Sequence, residues 1–222
     1  MEIEGATLVT VLRHGAVEGR PFVYRGRQDD PLSELGWRQM EAVVGAGLPA
    51  IYAGNRGQAR SHIALSHITP SHIATSPLRR CRAFAQRLAE RQGALLQVFP
   101  AFQEMAFGEW EGLTPEEAAS RDPLEHPLFR ASAGTVAAPG GETLTQVRRR
   151  ARAGWEEWLN GAGGGHRLLV THAGVMRALL IELLGLPASH IYRVALPEAA
   201  HFRVSILAGE APILLSLNSC AA

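Results

Sequence analysis

The chain has 222 residues and a nearly balanced charge, with 22 basic against 21 acidic side chains, and 46% of its residues are hydrophobic. This composition is typical of a globular protein and excludes collagen-like, coiled-coil and wholly disordered chains. Every basic residue is arginine, which excludes a Schiff-base lysine and a P-loop lysine. The net charge of +1 gives no support for nucleic-acid binding.

The cysteine content and the N-terminus indicate the compartment. Cys81 and Cys220 are too few for a disulfide framework, so we expect two reduced thiols. The first residues lack the basic start of a signal peptide, and no apolar stretch approaches the ~20 residues of a membrane span. We therefore expect a cytoplasmic protein without membrane contact. A homodimer is compatible with the sequence, which does not determine the oligomeric state.

Strand and helix patterns alternate along the chain. The predicted strands are 7–12, 72–75, 95–99, 168–171, 201–207 and 213–217. The predicted helices are 34–44 after an N-cap at Ser33, one from Ser76-Pro77 to about 91, 143–160, and one from 173 to about 185. Short helices are expected in a proline-broken excursion at 114–140. This order predicts an α/β fold with three layers, α/β/α, and a mainly parallel mixed sheet.

Two segments invite other interpretations. The tripeptide Ser-His-Ile occurs at 61–63, 66–68 and 71–73, but histidines five residues apart converge neither on a helix nor on a strand. A local duplication is therefore favoured over a metal cluster, and we predict no metal site. The glycine-rich run 161–165 follows a helix and precedes a strand, which favours a turn over a nucleotide-binding loop.

Charged side chains follow the predicted strands. Arg13-His14 follows the first strand, Arg80 follows the second, and His172 follows the fourth, while the third leads to a loop with Glu104. Ligands of open α/β sheets bind beyond the carboxyl ends of the strands. Two arginines and two histidines at this edge suit a group with several anionic oxygens, of which phosphate is the natural example. The helix after His172 would add backbone N–H groups.

Each of these pieces alone is more often structural, but together and in this order they resemble the histidine phosphatase superfamily, also called phosphoglycerate mutase-like. The matching motifs are Arg-His-Gly at 13–15, Ser-Pro-Leu-Arg-Arg at 76–80, Glu104 before Phe-Gly-Glu-Trp-Glu-Gly at 107–112, and Thr-His-Ala-Gly at 171–174. The stretches GRQDDPLSELG at 26–36 and PGGET at 139–143 also match, so the resemblance extends from about residue 8 to the C-terminus.

The resemblance implies catalytic roles for five residues. His14 is the expected nucleophile that becomes phosphorylated, and Arg13 flanks it. Arg80 matches the arginine of the Ser-x-Leu-x-Arg pattern, and His172 matches the second active-site histidine, expected to be protonated. Glu104 aligns with the general acid, because the family's acid precedes the Phe-Gly pair.

Some assignments stay open at this point. Glu109 and Glu111 compete with Glu104 for the acid. Ala173 and Gln28 are expected to contact phosphate or substrate, whereas Arg20 is either a further phosphate contact or a surface residue. Of Phe102, Phe107 and Trp110, we expect two to be packing residues.

The resemblance implies a phosphomonoester hydrolase that acts on a small molecule through a phosphohistidine, without metal or cofactor. The alternatives are a phosphoglycerate mutase-type isomerase and a non-catalytic phosphate-binding member. The mutases carry basic recognition segments and a long C-terminal tail, whereas this chain has no lysine and ends soon after the final hairpin, which favours hydrolysis.

The tracts SPLRRCRAFAQRL, FQEMAFGEWEG and LLSLN look like the α-ribazole-5′-phosphate phosphatase branch, which acts in cobalamin biosynthesis. We expect one domain over 1–222, with a lid or specificity excursion at about 112–140. An unusual histidine-containing insertion is expected at about 53–71.

Overall fold

The centre of the protein is a six-stranded sheet. The computed structural model describes residues 6–45, 69–160 and 164–218, and within them the strands are ordered β3-β2-β4-β1-β5-β6. The strands are β1 Thr7–Arg13, β2 His72–Thr75, β3 Leu95–Val98, β4 Gly165–Thr171, β5 His201–Ile206 and β6 Ile213–Leu217. The first four in this order are parallel, whereas β5 is antiparallel to both β1 and β6. The mainly parallel mixed sheet is as predicted.

Helices cover both faces of this sheet. They are α1 Glu34–Gly45, α2 Arg79–Gln92, α3 Pro115–Arg121, α4 Glu125–Ala131, α5 Leu144–Leu159 and α6 Ala173–Leu184. Three 3-10 segments, none of them predicted, lie at Pro100–Phe102, Gly108–Trp110 and Ala188–Arg193. Among the described residues, no helix is both long enough and apolar enough to cross a membrane.

Two apolar clusters hold the three layers together. Successive residues of a strand point to opposite faces, and Val11 and Leu12 accordingly enter different clusters. One cluster packs α5 and α6 on the sheet, with Trp155 and Leu179 fully or almost fully buried, and the other packs α1 and α2. The predicted three-layer α/β/α arrangement is confirmed.

The start of α2 differs from the prediction. The pattern Ser76-Pro77 predicts an N-cap followed by the first helical residue, but the helix begins at Arg79 with Leu78 as its N-cap. The Ser76 hydroxyl oxygen accepts the Leu78 N–H at 3.3 Å and lies 2.8 Å from Nε2 of His172. Ser76 is therefore part of a side-chain contact between strand ends, and α2 starts three residues after it.

The excursion at 114–140 contains the two short helices α3 and α4. Thr114 caps the first of them, in a reciprocal capping box with Glu117. A third apolar cluster, which includes Trp110 and Phe129, packs these helices against Tyr24. The excursion therefore has its own small core beside the carboxyl edge of the sheet.

Several predicted features lie outside the described residues. These are the first two Ser-His-Ile copies, most of the insertion at 53–71, Cys220 and the first three residues of the glycine run at 161–165. The third copy is described, and its His72 is the first residue of β2.

Candidate active site

The ends of the two central strands bring the predicted histidines together. Strands β1 and β4 are parallel neighbours, and Arg13 pairs in register with Thr171. The N–H of His14 donates to the carbonyl of Thr171 at 2.9 Å, which continues the ladder by one residue. The rings of His14 and His172 therefore meet edge to face, with their centroids 5.2 Å apart.

His14 is held in one tautomer. Its Nδ1 lies 2.8 Å from the carbonyl oxygen of Gly15, and because a carbonyl only accepts, Nδ1 carries the proton and donates. The other nitrogen, Nε2, keeps its lone pair. Burial, followed by the charges of Arg80 and Arg13, lowers the pKa of His14 well below its usual range. The ring is therefore neutral and nucleophilic at neutral pH.

The loop after His14 lies close against the start of α1. A Cβ on Gly15 would come within 2.3 Å of the Gly36 carbonyl oxygen, and a Cβ on Gly36 would come within 1.9 Å of the Ala16 carbonyl oxygen. Both positions therefore require glycine. This contact explains why Gly36, inside the 26–36 motif, belongs to the site although it bears no side chain.

Arg13 and Arg80 bring positive charge to the same place. Arg80 lies in the first turn of α2, is fully buried, and donates to the carbonyls of Gln28 and Gly26. Arg13 donates from Nη1 to the carbonyl of Leu196 at 2.6 Å. These hydrogen-bond partners are backbone carbonyls, which orient a guanidinium without neutralising it. The charge of both arginines is therefore available to an anion.

His172 lies behind His14 and is fully buried. Burial and the charge of Arg80 lower its pKa well below the usual range, so it is neutral in the free protein. The charge of Arg80 disfavours a further cation at this ring in the free protein, whereas the expected protonated His172 concerns a bound phosphoryl group and stays a prediction. Its predicted contact with phosphate remains a prediction.

Glu104 is held at the start of α6. Its Oε1 accepts the N–H of Met105 at 2.8 Å and the N–H of Gly174 at 3.1 Å. A Cβ on Gly174 would come within 2.3 Å of that oxygen, so the carboxylate needs glycine at this position. The backbone N–H groups at the start of α6 were expected to bind phosphate. One of them, the N–H of Gly174, instead donates to the carboxylate of Glu104.

The two competing carboxylates have structural partners. Glu109 forms an exposed ion pair with Arg121. Glu111 accepts the N–H of Arg27 at 3.0 Å and the N–H of Phe107 at 3.1 Å. Of the three candidates for the acid, Glu104 is the one that lines the cavity beside His14.

Gln28 does not line this cavity, contrary to expectation, and Arg20 does not line it either, which agrees with the surface alternative for that residue. The two terminal guanidinium nitrogens of Arg20, Nη1 and Nη2, donate to the Glu117 carboxylate at 2.7 Å. This pair holds the Arg20 side chain against the start of α3 at the surface. Gln28 serves the site through its backbone carbonyl, which accepts from Arg80. Ala173 lines the cavity as predicted.

The cavity has a volume of about 1040 Å³. Its lining residues are considered as two groups. The predicted site residues among them, which we call the phosphoryl end, are Arg13, His14, Arg80, Glu104 and Ala173. A second group, which we call the leaving-group end, consists of Tyr24, Phe107, Phe129, Arg130, Arg177 and Tyr192. Phe107 faces the cavity, whereas Phe102 and Trp110 are fully buried, so two of these three aromatic residues are packing residues as expected.

The family model of the histidine phosphatase superfamily (branch 1) matches residues 52–219. The chain belongs to the histidine phosphatase superfamily. Among curated members, it is 32% identical to the bifunctional protein Rv2228c of Mycobacterium tuberculosis over 195 residues, which are 87% of this chain and 49% of that protein. The chain thus spans about half the length of the first of its curated relatives. It is 33% identical to a probable phosphoglycerate mutase GpmB of Yersinia pestis, covering 88% of this chain and 83% of that one.

Solved structures of the superfamily share the fold. Mycobacterial glucosyl-3-phosphoglycerate phosphatase superposes with a TM-score of 0.77 at 27% identity, covering 97% of this chain and 100% of that one. The α-ribazole phosphatase of Shigella flexneri gives a TM-score of 0.76 at 19% identity, with 96% of each chain covered, which shows the fold alone. Together these matches show the fold and the superfamily of this chain.

The sequence analysis of this superfamily member named Phe107 but missed the other residues of the leaving-group end. Arg177 follows Ala173 by one helical turn on α6, and this i to i+4 spacing was a signal for the same face. Arg130 and Tyr192 gave no such signal, since they come from α4 and from a 3-10 segment that was not predicted.

Proposed function

We propose that the protein is a phosphomonoester hydrolase that forms a phosphohistidine at Nε2 of His14. The observation that carries the proposal is the hydrogen bond of 2.8 Å from Nδ1 of His14 to the Gly15 carbonyl. It leaves the lone pair of Nε2 for attack, beside Arg13 and Arg80, whose hydrogen bonds go to backbone carbonyls and not to carboxylates.

In the first step, Nε2 of His14 attacks phosphorus and the bond from phosphorus to the leaving oxygen breaks. Charge on the equatorial oxygens is stabilised by Arg13 and Arg80, and phosphoryl transfer needs mainly such positioning and charge. Glu104 in its acid form gives a proton to the leaving oxygen, which departs as an alcohol.

In the second step, Glu104 accepts a proton from water while the water oxygen attacks phosphorus. The phosphorus–nitrogen bond breaks, inorganic phosphate forms, and neutral His14 is restored. One carboxylate thus acts as acid and then as base, and the positive charge that the transferring group requires comes from arginine. We therefore propose that the reaction needs no metal and that a chelator leaves it unchanged.

The size of the cavity favours hydrolysis over isomerisation. A mutase must keep water away from the phosphohistidine until the phosphoryl group returns to its substrate. A cavity of about 1040 Å³ is at the upper end of small-molecule sites and far exceeds a three-carbon acid, so water enters beside such a ligand.

Within this class we propose α-ribazole 5′-phosphate, an intermediate of cobalamin biosynthesis, as the substrate. The sequence tracts around α2, Glu104 and β6 favour it. The aromatic side chains of Tyr24, Phe107, Phe129 and Tyr192 give the leaving-group end the surface that a planar base requires. The described part of the chain would then work as one domain, with the 112–140 excursion as its specificity lid.

The decisive experiment combines a substrate panel with trapping of the intermediate. Phosphate release is measured over phosphometabolites that include α-ribazole 5′-phosphate, 3-phosphoglycerate and glucosyl-3-phosphoglycerate. With a labelled substrate we expect an acid-labile, alkali-stable phosphoprotein, and His14→Ala lowers turnover by about 10⁴-fold or more and abolishes the label. His72→Ala, at the opposite end of β2, is the matched control and retains both.

Two results would contradict the proposal. One is turnover that survives in the His14 variant. The other is isomerisation of 3-phosphoglycerate that outpaces phosphate release, which would establish the mutase.

A further inference from the structure

The buried contact between Ser76 and His172 has no role in the two steps above. Both residues are fully buried, and the Ser76 hydroxyl oxygen lies 2.8 Å from Nε2 of His172. Ser76 follows β2 and His172 follows β4, and these strands are parallel neighbours. The N–H of Ser76 donates to the Val170 carbonyl at 3.1 Å, and this backbone hydrogen bond holds the end of β2 beside the end of β4.

The donors and acceptors around the Ser76 hydroxyl decide whether Ser76 or His172 donates in this hydrogen bond. The Ser76 oxygen already accepts the Leu78 N–H at 3.3 Å, and a serine hydroxyl has one proton to give. If Nε2 of His172 donated to it, the hydroxyl proton would have no acceptor among the described residues, in a buried place where an unpaired O–H is costly. If the hydroxyl donates to Nε2 instead, the Ser76 hydroxyl has both a donor and an acceptor as partners. The Nδ1–H of His172 then has only the Cys81 sulfur at 3.8 Å beside it among the described residues and is available to an oxygen of a bound ligand.

The neighbouring thiol does not change this count. Cys81 Sγ lies 3.4 Å from the carbonyl oxygen of Thr171, to which its S–H donates, and burial raises the pKa of the thiol, so it stays protonated. Its sulfur lies 3.5 Å from Nε2 and 3.8 Å from Nδ1 of His172, and sulfur is a weak acceptor. The Ser76 hydroxyl is therefore the strong partner of His172 in this group.

Resting on the proposed phosphohistidine mechanism, we propose that Ser76 is a positioning residue that fixes His172 as its Nδ1–H tautomer. His172 then presents Nδ1–H as its single proton donor, beside a ring of His14 that is 5.2 Å away. An oxygen of the transferring phosphoryl group accepts this proton in a hydrogen bond, so neutral His172 assists transfer without carrying a charge. This role accounts for the placement of Ser76 outside α2, where its hydroxyl is free to serve His172.

The test reads the tautomer directly. Long-range ¹H–¹⁵N correlation spectra of the full chain distinguish a protonated from an unprotonated ring nitrogen. In the wild-type protein we expect His172 protonated at Nδ1. Ser76→Ala should shift His172 toward the Nε2–H form and lower kcat by about 10-fold to 100-fold, with KM changed much less.

Two variants separate this role from a structural one. Ser76→Thr retains the hydroxyl and should restore both the Nδ1–H signal and kcat. Cys81→Ala removes the neighbouring sulfur and should leave the tautomer unchanged.

Wild-type His172 protonated at Nε2 would overturn the proposal. So would a Ser76→Ala protein that loses kcat while His172 keeps the Nδ1–H form, because the serine would then act through packing. The spectra require no turnover, so a failure of the proposed reaction on every substrate is recognised separately.

Discussion

The two ends of the cavity are built in different ways. At the phosphoryl end, Arg80 is fully buried and His14 is 6% exposed, and both come after strands of the sheet, as does the fully buried His172 beside His14. At the leaving-group end, Tyr192 is 51% exposed and Arg130 lies on the short helix α4. The strands of the sheet set the positions of side chains at the phosphoryl end, whereas short surface segments set many of those at the leaving-group end.

This difference separates chemistry from recognition. Backbone carbonyls orient Arg13 and Arg80, so their positions depend on the fold and hardly on other side chains. The guanidinium of Arg177, in contrast, lies over the ring of Tyr192, 5.2 Å from its centroid. Substitutions at the leaving-group end can therefore change the substrate while the phosphoryl chemistry stays the same.

The largest effect is expected where backbone carbonyls fix a charge. Arg80→Lys keeps the charge but cannot donate to the carbonyls of Gly26 and Gln28 and to phosphate at once, because a lysine lacks the planar fork. We expect kcat/KM to fall by about 10²-fold to 10³-fold. Steady-state kinetics on one aryl phosphate measure this loss.

The neighbouring Arg79 provides the control. It is exposed on the same helix turn, and its N–H donates to Asp29 through the backbone, so Arg79→Lys should leave kcat/KM within about twofold. Equal losses in both variants would show that the loss does not come from the guanidinium that the carbonyls of Gly26 and Gln28 orient.

Much of the phosphoryl end could be predicted from sequence, because its residues directly follow strands. The β-branched run at 7–12 predicts a buried strand, and the register of parallel neighbours then places the histidines at one edge. What could not be predicted depends on partners far along the chain. Ser76 has the local pattern of an N-cap, but its hydroxyl is hydrogen-bonded to His172, 96 residues away. Likewise, Arg20 is hydrogen-bonded to Glu117, 97 residues away.

The leaving-group end could hardly be predicted, for a related reason. Its residues come from short helices and a 3-10 segment, whose positions are set by packing of Trp110 and Phe129 and not by strand register. Composition showed that the excursion exists and where it is broken by proline. It did not show which face of α4 meets the cavity.

An intermediate effect on kcat is expected at the start of α6, where Gly174 contacts the carboxylate of Glu104. Gly174→Ala places a methyl group 2.3 Å from Oε1 of Glu104, so the carboxylate must move. Since helical alanine is otherwise favourable, we expect unchanged or slightly higher thermal stability and a loss of about 10-fold in kcat. Kinetics and thermal unfolding of the same preparation measure both quantities.

Combination with Glu104→Gln shows the route of this effect. If the added methyl group acts by displacing the carboxylate, the double variant is about as slow as Glu104→Gln alone. Additive losses would show instead that the helix start itself contacts the reacting group.

The smallest effect is expected at Arg20, which sequence comparison alone could not assign. Its ion pair with Glu117 is exposed, and such pairs contribute little because water screens them, so Arg20→Gln should change kcat/KM by less than about twofold on any substrate. The pair joins the loop after β1 to the start of α3 in the excursion. Its loss in Arg20→Gln should therefore be seen as faster amide exchange in 114–121. A large loss of kcat/KM without faster exchange would mean that Arg20 leaves Glu117 when substrate binds and joins the phosphoryl end.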